Sequence, residues 1–263
     1  DLARSRGLGD VYKRQTQNDA FKPVTKYFDR ITRPEQILQT LPQAIQTMLD
    51  PADCGPACLS LSQDVQGETY EYPEEFFKER VHNIRRPRPD DFQIKQAAEQ
   101  IKKSKNPLLI SGGGVFYSDA MEDLSNFAIK HNIPVTQTVM GYSTMKRDHS
   151  HFLGPIGGLG GKAANNLAKQ TDLAIAVGTK LADFTTGSWA NFENPDFSLV
   201  SVNVSRFDAN KHLAQSVIGD AKVSLQELSN ALGDWKAPEE WHKKSRDELK
   251  LSLIHISEPT RPC

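Results

Sequence analysis

Three kinds of feature are scarce in this 263-residue chain, and each scarcity removes a class of function. Cysteine is nearly absent: there are three, and Cys263 stands at the last position. Cys54 and Cys58, in the string CGPAC, have no further Cys or His near them to complete a zinc site. They read as two thiols rather than as a disulfide framework. No apolar run approaches the roughly 20 residues that a membrane-spanning helix needs. Excess charge is absent too. The net value is −1, so no bulk field draws the chain to nucleic acid or to an anionic membrane. Arg85, Arg86 and Arg88 sit between prolines, far short of a nucleic-acid footprint, and read as a solvated hinge. What remains, 38% hydrophobic and 25% charged residues, is ordinary for a globular protein.

The two ends carry an oddity. Residues 5–15 read SRGLGDVYKRQ and residues 251–261 read LSLIHISEPTR. One DNA stretch, translated on its two opposite strands, yields both strings, and that stretch looks like a transposase-type sequencing adapter. Residues 1–15 and 251–263 are therefore expected to be adapter translations and are set aside for fold reasoning. The natural stretch is expected to be a fragment, cut at both ends.

Between these ends, PEQILQTLPQAIQTML (34–49) has a proline start and apolar residues at helical spacing, with Pro42 inside. ACLSLSQDV (57–65) reads as a strand. The polar, proline-containing stretch that follows reads as a linker with a short helix near residues 73–80. From Asp90 the alternation is regular. A helix with acidic residues at its start (90–105) leads to PLLIS (107–111). A glycine turn and helix (112–132) lead to IPVTQT (133–138). A second glycine-rich entry and helix (157–170) lead to DLAIAVG (172–178). SLVSVNVS (198–205), a short helix near 208–213, SVIGD (216–220) and a last helix (221–232) complete the run. The strands are apolar throughout. That pattern predicts an α/β fold with a doubly wound, mainly parallel, Rossmann-like sheet covered on both faces.

Chemistry is harder to see. No GxSxG nucleophile elbow is present. HSH at 149–151 has poor geometry for a metal pair, and Glu74–Glu75 and Asp90–Asp91 fall in linker or cap positions. GGLGGKAA lacks the spacing of a phosphate loop, and no Ser or Thr follows Lys162 to hold magnesium. The glycine turns SGGG, GPIGGLGG and GTK lie beside strand ends, where α/β sheets place ligands. Tight turns and close helix–sheet contact would need the same glycines. The residues alone support a nucleotide-binding-like α/β domain.

The wording of the segments goes further. Lys26, Pro34, Leu41, Ala44, Gly55, Pro56, Leu59, Asp64 and Val65 fill a phrase typical of the pyrimidine-binding domain of thiamine-diphosphate enzymes. Ser62 and Gln63 depart from it, where most members have a proline-containing turn. The stretch from NPLLISGGG to TTGSW resembles the central domain of the same acetolactate synthase-like family. NDAFKPVTKYFDRITRPEQ, SQDVQGE, EEFFKERVH, VGTKLADFTT and VNVSRFDANK resemble its ring-opening hydrolase branch, which serves myo-inositol catabolism.

The resemblance implies a layout. Residues 16–72 would be the C-terminal piece of the pyrimidine-binding α/β domain and 73–89 a linker. Residues 90–233 would be the central Rossmann-like domain, and 234–250 the start of a further linker. It implies thiamine diphosphate and Mg²⁺ in the parent enzyme and a small-molecule substrate. It also implies a cytoplasmic homodimer or homotetramer with no nucleic-acid or membrane partner. The catalytic glutamate and the metal-binding motif would lie outside residues 16–250, so no catalytic residue and no metal ligand is assigned. In acetolactate synthase the central domain binds FAD. By resemblance Gly112, Gly113, Gly114, Thr138, Val139, Met140, Gly154, Gly157 and Gly178 would line that pocket here. Asn203 stands where an acidic residue would grip a ribose, so FAD is not expected and the pocket is expected to be vestigial. The alternatives are an FAD-containing acetolactate-type transferase and a non-catalytic nucleotide-binding module. Exposed apolar surface and open strand edges are expected in residues 16–65.

Overall fold

A computed structural model describes residues 17–257, with side chains as far as residue 252. Residues 1–15 of the expected adapter translation lie outside the described residues, as do residues 258–263. The chain divides into two compact units, one ending at Arg85 and the other beginning at Arg86.

The first unit opens with a helical turn, α1 (Gln17–Phe21), then β1 (Tyr27–Ile31), α2 (Ile37–Leu49) and β2 (Ala57–Leu61). β1 and β2 run parallel, paired from Tyr27 with Ala57 to Ile31 with Leu61. β1 is not legible in the sequence, because Asp29 and Arg30 interrupt its apolar run. Pairing with β2 fixes it instead. α2 carries Pro42 within it and buries Thr40 and Ala44. Where a short helix is expected there is a 3₁₀ turn, Glu74–Phe77. Its two phenylalanines join Tyr70 and Tyr72 in an aromatic cluster, and the Tyr72 hydroxyl donates to the Pro34 carbonyl at 3.2 Å.

The second unit holds a six-stranded, all-parallel sheet in the order β5-β4-β3-β6-β7-β8. Its strands are β3 (Pro107–Ser111), β4 (Val135–Gln137), β5 (Phe152–Pro155), β6 (Leu173–Val177), β7 (Ser198–Asn203) and β8 (Gln215–Ile218). All residues of β3 and β6 are buried, as apolar strands covered on both faces must be. The sequence reading misses β5. Its string FLGP contains a glycine and a proline, tolerated because β5 is an edge strand with an irregular register against β4.

The helices are α3 (Asp91–Lys103), α4 (Gly113–Tyr117), α5 (Met121–His131), α6 (Lys162–Ala168), α7 (Asp183–Thr186), α8 (Arg206–Ala209), α9 (Ala221–Leu232) and α10 (Glu239–Ser257). Local chemistry sets their ends. The Asp90 carboxylate accepts from the Phe92 N–H, and the Asp220 carboxylate from those of Lys222 and Val223. The helix expected over 112–132 is broken in two, with Asp119 at φ 52° between α4 and α5.

Alternate strand residues feed opposite faces. Leu109, Ile175, Val200 and Val217 join a cluster with α3, α5 and α9. Leu108, Ala174, Ala176 and Leu199 join the other with α6 and Trp241 of α10. The alanines that β6 turns to this second layer, Ala174 and Ala176, are fully buried. The Trp241 indole donates to the Pro107 carbonyl at 2.8 Å, tying α10 to the start of β3. Residues 239–250, inside the stretch 234–250 expected as the start of a linker, are helical, with Trp241 and Leu249 packed at the second cluster. α10 continues to Ser257 without a break at Leu251. Among the described residues no helix is long and apolar enough to cross a membrane.

Candidate functional site

The chain leaves β3 towards β4 and β5 on one side, then returns to place β6, β7 and β8 on the other. The connections leaving the carboxyl ends of β3 and β6 therefore run in opposite directions, and the loops that begin them leave a crevice at the switch point. A cleft of about 430 Å³ lies there. Gly113, Gly114, Tyr117, Thr138, Val139 and Met140 form one wall, and Gly178, Thr179, Lys180 and Phe184 much of the other. Asn203 and Asp208 contribute from the end of β7 and from α8.

Backbone approach shapes the base. The β-ladder runs past the strand ends, with Gly112 N–H on the Val177 carbonyl, Gly178 N–H on the Val202 carbonyl, and Gly114 N–H on the Gly178 carbonyl, each at 2.9 Å. A Cβ at Gly112 would stand 2.4 Å from the Gly178 oxygen, and one at Gly114 would stand 2.6 Å from the Gly178 Cα. Gly178 itself has φ 62°. Contact between α4 and the β6 turn is sufficient to require these three glycines.

The wall at 138–142 rests on buried hydroxyls. Ser111 Oγ lies 2.7 Å from Thr144 Oγ1, which donates to the Gly141 carbonyl at 2.7 Å. Thr138 Oγ1 accepts the Gly141 N–H at 3.0 Å, so this hydroxyl caps the turn Val139–Gly141. Val139, Met140 and Tyr117 are exposed, giving the cleft an apolar rim.

Of the nine residues expected to line a nucleotide pocket, Gly113, Gly114, Thr138, Val139, Met140 and Gly178 border this one cleft. Gly112 lies behind its base. Gly157, at φ 102°, packs against the backbone of Phe184 and Thr185, and the neighbouring Gly158 N–H donates to the Phe184 carbonyl at 2.9 Å. Gly154 sits in edge strand β5, is not among the lining residues, and a Cβ there would meet nothing within 4 Å. Sequence reasoning leaves out Tyr117, Lys180, Phe184 and Asp208. A signal for Lys180 exists, since GTK directly follows a buried strand. Phe184 and Asp208 belong to short helices whose placement no periodicity gives away.

The charged and amide groups decide what the cleft can grip. Asn203 Nδ2 donates to the Thr179 carbonyl at 3.3 Å and its Oδ1 accepts the Ser205 N–H at 3.0 Å. Both ends of the amide thus bind the protein. A carboxylate at 203 could not make the first of these bonds. The Asp208 carboxylate pairs with Lys211 at 2.5 Å. The Lys180 ammonium is exposed, with no ion pair or hydrogen bond among the described contacts. The cleft offers one cation, backbone edges and aromatic rims, and no carboxylate free to hold a ribose diol. The donor set at this site fits FAD poorly. Among the described residues no group of three or more His, Cys, Asp or Glu could hold a metal ion.

Comparison with known proteins adds what geometry does not. The pattern described as thiamine pyrophosphate enzyme, central domain, matches residues 94–228. Proteins named 3D-(3,5/4)-trihydroxycyclohexane-1,2-dione hydrolase are among the similar sequences. The one from Clostridium perfringens (strain 13) is 49% identical over 217 residues, covering 82% of this chain and 34% of its own length. That of Clostridium tetani is 46% identical over 244 residues, covering 92% and 38%. That of Bacillus licheniformis is 45% identical over 222 residues, covering 84% and 35%. The chain thus spans about a third of the length of the curated relatives it matches.

Proposed function

This chain belongs to the thiamine pyrophosphate enzymes, whose central domain it carries, and we propose that it is part of a thiamine-diphosphate-dependent hydrolase. The reaction would open the ring of 3D-(3,5/4)-trihydroxycyclohexane-1,2-dione to 5-deoxyglucuronate in myo-inositol catabolism, cleaving a carbon–carbon bond. The observation that carries this reading is the 49% identity over 217 residues to a hydrolase of that name. The cofactor supplies the carbanion chemistry when bound. The described residues supply the scaffold, with no catalytic group among them. The proposal includes Mg²⁺, a homodimeric or homotetrameric parent and a cytoplasmic location. It also includes the layout of 16–72 as a piece of the pyrimidine-binding domain, 73–89 as linker, 90–233 as central domain and 234–250 as the start of the next linker.

The cleft enters this proposal as a vestigial nucleotide pocket. Its place at the switch point favours the second reading, an acetolactate-type transferase carrying FAD. The internal bonds of Asn203 oppose that reading. The full-length parent, purified and given thiamine diphosphate and Mg²⁺, tests both. Loss of the cyclic dione with appearance of an open-chain acid is expected, in a colourless protein. Acetolactate formed from pyruvate by a yellow protein would overturn the hydrolase reading and the vestigial pocket together.

A further inference from the structure

Away from the cleft, three imidazoles gather where the loop before β5 meets α10. The rings of His151 and His242 stack with centroids 4.2 Å apart and planes 28° from parallel. His149 lies 5.7 Å from His151, ring to ring. The hydrogen bonds fix the tautomers. His151 Nε2 lies 3.2 Å from the Asn132 Oδ1, which can only accept, so Nε2 carries the proton. Its Nδ1 then accepts from Ser150 Oγ at 2.9 Å. His149 Nδ1 accepts the backbone N–H of His151 at 3.2 Å, which leaves its Nε2–H to donate to Ser125 Oγ at 3.0 Å. His151 and His149 are therefore both bonded as neutral rings. His242 Nε2 is buried without a hydrogen-bond partner.

The charges acting on His151 do not offset a cation, whereas at His149 the Asp148 carboxylate outweighs Arg246. Arg246 approaches from α10 and acts on both His149 and His151. Asp148 adjoins His149 and opposes it. Glu239, in the first turn of α10, already accepts from Asn132 Nδ2 at 3.0 Å. His131, at the end of α5, makes separate bonds to the Trp235 carbonyl (2.7 Å) and Ser229 Oγ (3.0 Å), with Lys130 and Lys236 as its charged neighbours.

We propose that the His149–His151–His242 cluster is an acid-releasable clasp holding the first turns of α10 against β5 and the end of α5. Neutral, the stacked rings act as flat, largely apolar surfaces. Protonated, His151 would set a positive charge against His242 and Arg246 inside the packed junction, and detachment of α10 would return it to water. Burial already holds His151 down to about 4, with His242, His149 and Arg246 adding to it. A freed ring would protonate near 6.5. Detachment therefore takes up a proton, and its equilibrium constant rises roughly tenfold per pH unit as pH falls from 6.5 towards 4.

Hydrogen exchange of residues 239–250, followed from pH 7.5 to 4.5 and corrected for intrinsic rates, tests this on the whole chain. Loss of protection by roughly tenfold per unit below pH 6.5 is expected for one proton. A pH-independent protection factor would overturn the clasp. The variant His242→Phe keeps a ring in the stack and presents a π face that tolerates a neighbouring cation. Burial of His151 remains, so the slope just below pH 6.5 is expected to persist while the loss of protection levels off at a higher pH than in the unaltered protein, and levelling off at an unchanged pH would overturn the role of the stacked pair. Should the variant not fold, ring-proton titration of the unaltered protein decides, because an ordinary midpoint near 6.5 for His151 refutes the proposal and one well below it supports it.

Discussion

The two units write nearly the same local text and obtain different interiors from it. Each has a strand, a helix and a second strand parallel to the first. In the second unit β3 and β6 bury all their residues. In the first, β1 buries Ile31 alone and β2 buries none. The difference is coverage. A parallel strand becomes core only when helices lie on both of its faces and strands flank both edges. β3 and β6 have this. β1 and β2 each pair with one strand and lie against one helix among the described residues. Apolar composition is thus a statement about potential burial. Neighbours supply the rest.

Substitution at matched positions measures that gap. Ile175→Ala, in the middle of β6, removes a fully buried side chain from the larger core cluster. It is expected to cost about 2–5 kcal/mol in urea unfolding of the second unit. Leu59→Ala in half-buried β2 is expected to cost the first unit well under half as much. Equal losses would break the comparison, because β2 would then be as much a core strand as β6.

Glycines sharpen it next. Gly178→Ala places a Cβ 2.6 Å from the Gly114 Cα at φ 62°. A loss of roughly 1–3 kcal/mol is expected. Gly67, in the first unit, has nothing within 4 Å of where a Cβ would stand. Gly67→Ala is expected to be near neutral in the same denaturation assay.

These pairs also show what the chain spells out. The buried strands of the second unit, their helices and the glycine turns are legible from apolar runs and helical spacing. Three features are not. β5 is written FLGP, which reads as a turn until β4 supplies a partner. α10 starts in a charged stretch, and its fixed point is one tryptophan reaching the Pro107 carbonyl, a long-range fact no window can hold. Phe184 and Asp208 meet the glycine walls of the cleft only because the strand order reverses between β3 and β6. Six of the nine expected pocket residues lie together because they follow adjacent strand ends. Gly154 does not, since its position in edge strand β5 depends on a register that the sequence leaves open.

pH separates the units by sign. Burial lowers the affinity of His131, His149 and His151 for protons. The unfolded chain binds those protons near 6.5, so stability of the second unit is intact above that pH. It is lost progressively as pH falls from 6.5 towards the folded values. Among the described residues of the first unit the shifted group is Tyr27. Slight burial raises it, and Asp29 raises it further by charge and by hydrogen bonding. Its contribution is present below pH 10 and is lost as pH rises past 10. Urea midpoints of the two transitions, taken from pH 4.5 to 10.5, are expected to move oppositely at the two extremes. Parallel movement would remove the distinction.

A modest effect at Asn203 is the most informative about the cleft. Asn203→Asp removes the donor that reaches the Thr179 carbonyl at 3.3 Å and sets a carboxylate against that oxygen. About 1 kcal/mol of destabilisation is expected, since part of the new charge can turn to solvent. The same change introduces a carboxylate of the kind that grips a ribose diol. If the turn after β6 and Asn203 are a matched pair, the variant loses this stability and gains no measurable binding of FAD or ADP by calorimetry. A variant that binds either nucleotide, at unchanged stability, would mean that one amide alone closes the pocket and that the walls around Gly113 and Gly178 are still shaped to receive a nucleotide.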